Sequence, residues 1–270
     1  MIIGLLFQLH VAISAENVDP VLLVNLPGES RTAAEVIFPE HVTVRPRGSN
    51  DVEHLYLFRR GDARVQVRHN GNNFEYQREL PRNIHMLARA TLENDGLLFH
   101  YEFENRSDVA YDMLTAVTDP RLKWILHDVR LERTFVHTPK GFDLLASDFP
   151  QRSTMPLDRW LPACVLASCT WPVAPQRTEV RDQITYYNRS TRVDEPLLAT
   201  VSTNGRWVAA SFTRNAGNVW SNPELTCQHV DPQIALPAHG KVTIEVKLLL
   251  FRGTLADAQS KFLQQRPRLQ

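Results

Sequence analysis

The chain has 270 residues, 43% hydrophobic and 22% charged, with 30 basic residues balanced by 30 acidic ones. That length suits one large all-β domain, or two small ones, and can bury a substantial core. Balanced charge argues against nucleic acid as a partner, since phosphate binding needs a concentrated positive field. No apolar run reaches the roughly 18 residues that a membrane span needs.

Residues 1–15 (MIIGLLFQLHVAISA) are apolar and end in small residues before Glu16. This resembles the end of a secretory signal, which would make the protein secreted or periplasmic. They carry no Lys or Arg and include His10, so a first β-strand is the other reading. Residues 16–270 are expected to form a single β-sandwich domain.

Extended runs at 42–44, 54–58, 63–69 and 74–78 are separated by turns at 48–51, 60–62 and 70–73. Asn70-Gly71 favours a tight hairpin, because both residues tolerate positive φ. A stronger hairpin runs over 83–93 and 97–105 about Asn94-Asp95-Gly96. In its return strand Leu97, Phe99, Tyr101 and Phe103 alternate with Leu98, His100, Glu102 and Glu104, the period of a half-buried antiparallel strand. Further strands are expected at 122–125, 129–137, 142–146, 179–188, 197–202, 207–213 and 242–251. Residues 149–175, rich in Pro and carrying Trp160 and Trp171, read as a long loop. Thr254 caps a helix over 255–265 with Leu255, Ala258 and Phe262 on one side. Many short strands at regular spacing specify an all-β sandwich or barrel.

Three cysteines cannot all pair. Cys164 and Cys169 would close a small disulfide loop in an exported protein, or remain free buried thiols.

Trp220, Asn222, Cys227, His229 and Asp231 crowd one segment, in a loop opened by Asn222-Pro223 and closed by Asp231-Pro232. Trp220 offers an indole for the apolar face of a sugar ring, and Asn222 a donor and an acceptor for hydroxyls. His229 suits acid–base work near neutral pH, with Asp231 orienting it or acting beside it. The structural alternative buries Trp220, satisfies His229 on backbone and uses Asp231 to cap a turn.

In a strand over 129–137, Asp128, Arg130, Glu132 and Thr134 share one face. Arg133 lies among apolar residues on the other, with His127 and His137 at its ends. A buried Arg needs a partner, and its fork can hold a uronate carboxylate. Arg133 is therefore a candidate binder and His137 a candidate catalyst. His100 and Glu102 join the binding candidates if the polar face of their strand lines a curved sheet. His229 with Asp231 and a second His among 100, 127 and 137 could ligate a metal, but no His-x-His or HExxH spacing supports it. No metal and no cofactor are expected.

Residues 83–107, with Tyr101, Asn105 and Ser107 filling a Tyr-x-x-x-Asn-x-Ser pattern, resemble the central hairpin of galactose-mutarotase-like domains. The turn Pro237-Ala-His-Gly240 and the strand after it are similar to that superfamily's closing strand. The resemblance implies a large, curved antiparallel β-sandwich (a supersandwich) and a saccharide ligand. Where epimerases of the family carry an Asn-His-x-Tyr-Phe-type motif, this chain has 111–120, YDMLTAVTDP. The epimerase histidine is absent there, which speaks against mutarotation by the usual acid–base pair. The fold also serves lyases, glycoside hydrolases and sugar binders.

The expected function is a carbohydrate-active enzyme, a hydrolase, lyase or isomerase, acting on a saccharide or uronide through His229, Asp231 and His137. Trp220, Asn222, Arg133, His100 and Glu102 would bind the substrate. A noncatalytic carbohydrate-binding module is the alternative, and a structural or interaction protein the second. The expected partner is a small-molecule or oligosaccharide ligand.

Overall fold

The computed structural model describes residues 8–56, 63–170, 173 and 176–270. In chain order its first strands are β1 (His10–Ile13), β2 (Val21–Asn25), β3 (Thr32–Pro46), β4 (Glu53–Tyr56), β5 (Arg68–Asn70), β6 (Asn73–Leu80), β7 (Ile84–Glu93), β8 (Gly96–Asn105) and β9 (Tyr111–Leu122). β10 (Thr134–Thr138) and β11 (Gly141–Leu144) follow, then helix α1 (Leu157–Trp160) and β12 (Ala163–Ser168). The last are β13 (Arg177–Arg181), β14 (Ile184–Asn188), β15 (Leu197–Val201), β16 (Trp207–Thr213), β17 (Ala216–Ser221), β18 (His229–Pro232), β19 (Ile234–Leu236), β20 (Lys241–Arg252) and helix α2 (Leu255–Gln265).

The strands form three sheets. A nine-stranded sheet runs β11-β10-β15-β16-β20-β8-β7-β6-β5. A six-stranded sheet runs β1-β2-β3-β9-β19, with β4 also on β3, and a five-stranded sheet runs β13-β14-β12-β17-β18. Among the described residues only β12 and β14 pair in parallel. The two smaller sheets abut where Arg121 on β9 bridges Cys227, and the Gln228 N–H reaches Pro120 O at 2.9 Å. Together they face the large sheet, which makes a mostly antiparallel β-sandwich of the expected class.

Side-chain alternation explains the layering. On β7 and β8, Ile84, Met86, Ala88 and Ala90, then Leu97, Phe99, Tyr101 and Phe103, are fully buried and meet Val36, Phe38, Val42 and Leu114 of the opposing sheet. Each such large apolar side chain contributes about 1.5–3 kcal/mol. A second core joins Val136 and Leu198 to Val165, Ala167, Val219 and Trp160. A third lies on the outer face of the large sheet, where Ala258 and Phe262 of α2 cover Phe212, Ala210 and Leu249. β20 is therefore buried on both faces where α2 lies, which is why 246–251 reads as an almost unbroken apolar run.

Several expected elements differ. Trp124–Leu126 is a 3-10 turn rather than strand. The strand expected over 129–137 starts only at Thr134, because the Asp128 carboxylate accepts the Glu132 and Arg133 N–H groups and Leu131 takes φ +50°. Asp128, Arg130 and Glu132 thus share no strand face. The run 179–188 is a hairpin turning at Asp182-Gln183, and β12 lies inside the expected 149–175 loop. Within 1–15, His10–Ile13 is a strand on β2. Residues 1–7, the expected turn at 60–62 and Trp171 lie outside the described residues. All three cysteines are free.

Candidate functional site

The C-terminal segment folds as the hairpin β17–β18, which sets Trp220 directly opposite His229. Their rings stack face to face, 3.6 Å between centroids and 7° between planes. The indole Nε1 donates to Asp231 Oδ2 at 2.9 Å. Asn222 shapes the connecting turn: its Oδ1 accepts the Leu225 N–H, its carbonyl accepts the Thr226 N–H, and its own N–H donates to Cys227 Sγ at 3.2 Å. The turn brings His229 to β9, where its Nε2 lies 3.2 Å from Asp119 Oδ1. Arg121 grips the other carboxylate oxygen of Asp119 through Nε at 2.5 Å and reaches Glu40 at 3.0 Å.

Asp119, Cys227 and His229 are almost fully buried. Burial works against the charged imidazole, yet the adjoining Cys227 sulfur and Asp119 carboxylate outweigh it and hold His229 well above its ordinary range. Burial likewise pushes Asp119 up, but His229 and Arg121 prevail and keep it low. Burial pushes the Asp231 carboxyl up, and the nearby His229 charge and the Trp220 N–H offset this only in part. The cluster is a buried ion pair with one indole face taken up by the imidazole. Its carboxylate, thiol and imidazole are also the donor set from which a metal site could be built.

The other expected residues lie elsewhere. His137 on β10 bonds Asp194 at 2.8 Å and Gln259 of α2 at 2.7 Å. Arg133 spends its guanidinium on the carbonyls of Val201 and His127, at 2.6 and 2.5 Å. Neither joins the Trp220–His229 group.

His100 and Glu102 stand on the outer face of the large sheet. There the strand registers line up one polar row, Arg68↔Glu75↔Arg89↔His100↔Glu245, across five strands. Arg89 Nε donates to Glu75 Oε2 at 2.9 Å. His100 Nδ1 lies 2.9 Å from Glu245 Oε1, and the backbone N–H of Gln270 donates to Glu245 Oε2 at 2.9 Å. Burial raises the Glu245 carboxyl, but the His100 and Gln270 hydrogen bonds outweigh it and hold it below the usual carboxylate range. The His100 side chain remains 24% exposed.

Two clefts flank this pair. One of about 490 Å³ is lined by Arg68, Asn70, Asn73, Glu75, Arg89 and Thr91. The other, of about 600 Å³, lies between the sheet and the C-terminus and includes Glu93, Asp95, Glu245, Lys247, Gln264 and Arg268. Glu102 sits one row away, opposite Leu87 and Thr243. The sequence reading did not find Glu245, Arg89 or Glu75. A carboxylate inside the apolar run of β20 was the available signal for Glu245, and an acid inside β9 the signal for Asp119.

No family model matches the sequence, and no curated protein does. Solved structures resemble the chain in outline. A galactose mutarotase related enzyme from Lactobacillus acidophilus aligns over 91% of this chain and 98% of its own, at 10% identity and a TM-score of 0.47. A galactose mutarotase-like protein from Lactobacillus casei ATCC 334 aligns over 90% and 97%, at 10% identity and 0.47. A polysaccharide lyase aligns over 96% of this chain and 34% of its own, at 9% identity and 0.47. The likeness is one of architecture, and no residue role is carried across it.

Proposed function

We propose that the chain is a carbohydrate-active protein that holds a saccharide or uronide across the polar outer face of the large sheet, with His100 as its acid–base group. One observation carries this reading: the part-exposed His100–Glu245 pair lies in a row of alternating charge between two clefts. A polyhydroxylated ligand needs donors and acceptors side by side, and Asn70, Asn73, Thr91, Arg89 and Glu75 offer both. A general base works best when a second group fixes its ring, and Glu245, itself tied down by the backbone N–H of Gln270, does this for His100. The Trp220–His229 group, also foreseen as a site, is buried and supports acid–base work on a bulky ligand less well.

The test is calorimetric titration with neutral and uronic oligosaccharides, together with turnover assays. Arg89→Ala should weaken binding about tenfold, the loss of one well-placed polar contact. His100→Ala should keep binding and lose turnover. Binding with no turnover in the parent protein would favour the noncatalytic module. A saccharide bound equally well by the parent and both variants would contradict the reading.

A further inference from the structure

The seam between the two smaller sheets holds a donor set that a saccharide does not call for. Asp119, Cys227 and His229 are each no more than 2% exposed. One donor atom from each lies within 4.8 Å of the other two. Asp119 Oδ1 is buried with only His229 Nε2 beside it, 3.2 Å away and out of hydrogen-bond alignment. Buried polar atoms are nearly always satisfied, so this carboxylate oxygen, set beside a buried thiol and imidazole, points to a partner from outside the chain.

We propose that Asp119, Cys227 and His229 bind a zinc ion. Thiolate, imidazole and carboxylate are the three ligand types zinc accepts, and the sulfur disfavours magnesium and calcium. Two donors about 2.0–2.1 Å from one zinc at a tetrahedral angle lie roughly 3.3 Å apart. His229 Nε2 and Asp119 Oδ1 are 3.2 Å apart, without the alignment of a hydrogen bond.

The surroundings already orient the donors, as outer groups do around metal ligands. Arg121 Nε holds Asp119 Oδ2, which leaves Oδ1 for the ion. The Asn222 N–H donates to Cys227 Sγ, as it would to a bound thiolate. Trp220 fixes the plane of the imidazole by stacking on it. Arg121, in contact with Asp119, is 27% exposed, so the cluster lies one side chain from solvent. An ion here ties β9 to β18, joining the two sheets, and binding only to the folded chain stabilises it by mass action.

The test titrates the 270-residue chain, freed of metal by a chelator, with Co²⁺ and then Zn²⁺. One equivalent of Co²⁺ should produce thiolate-to-cobalt charge-transfer absorption. Zn²⁺ should abolish that absorption and raise the melting temperature. Cys227→Ser, a one-atom change whose folding circular dichroism checks, should lose the band, while Cys164→Ser and Cys169→Ser keep it. His229→Gln should weaken Co²⁺ binding about tenfold or more and gives a second readout if Cys227→Ser misfolds. The absence of a band in the parent chain overturns the proposal, as does a band that survives Cys227→Ser or an affinity untouched by His229→Gln.

Discussion

Tyr101 is fully buried between the sheets, and its hydroxyl lies 2.6 Å from Thr118 Oγ1 on β9. Burial pushes its phenol far above the ordinary range, so the group acts only as a neutral hydrogen-bonding partner. It belongs to a set of polar contacts inside the sandwich: Gln228 bonds Ser211, Thr200 and the carbonyl of Ala209. Tyr101→Phe keeps the ring and leaves the Thr118 hydroxyl unpaired. It should lower stability by about 1–2 kcal/mol, read as a lower urea midpoint at unchanged slope. An unchanged midpoint would mean that Thr118 finds another partner. Backbone constraint is also local: a Cβ on Gly96 would come within 1.9 Å of the Leu248 carbonyl oxygen, so the β7–β8 turn needs glycine there.

At the scale of elements, α2 carries its own start signal. Thr254 accepts the Asp257 N–H, and the Asp257 carboxylate accepts the Thr254 N–H in return. Thr254→Ala should cost about 1 kcal/mol, measurable by thermal unfolding. A loss near zero would show that packing of Phe262 alone holds the helix. This helix and the β7–β8 hairpin were legible in the sequence, because each buries one face and shows that face's period. β9 was not: 114–120 is buried on both sides, and Thr115, Thr118, Asp119 and Pro120 break its apolar run. The hairpin β17–β18 was hidden in what read as a loop. Trp220, His229 and Asp231 were legible as a group because one short segment carries them. The partners Asp119 and Glu245 were not, since tertiary folding alone brings them in; His100 and Glu245 are 145 residues apart.

For the molecule as a whole, Asp95 ties three parts together. Its carboxylate accepts from Lys261 and Gln265 of α2, each at 2.8 Å, and lies 2.9 Å from Lys247 on β20. Burial opposes the charge, but these partners outweigh it and draw the Asp95 carboxyl down to about 2. An acid depressed on folding stabilises above its unfolded pKa of about 3.9, and that contribution fades as pH falls toward about 2. The parent chain should exceed Asp95→Asn by about 1 kcal/mol near pH 5, allowing for solvent screening, and the gap should close near pH 2. Urea unfolding at the two pH values measures it, and a constant gap would contradict the assignment. The same outer surface carries the central claim, that a saccharide lies across the His100 row rather than at the buried Trp220–His229 stack. Amide chemical-shift mapping with a bound oligosaccharide decides between them most directly. The account predicts shifts concentrated on β5–β8, β20 and the C-terminus, including Arg89, His100 and Glu245. Shifts confined to β17, β18 and the Asn222 turn would contradict it.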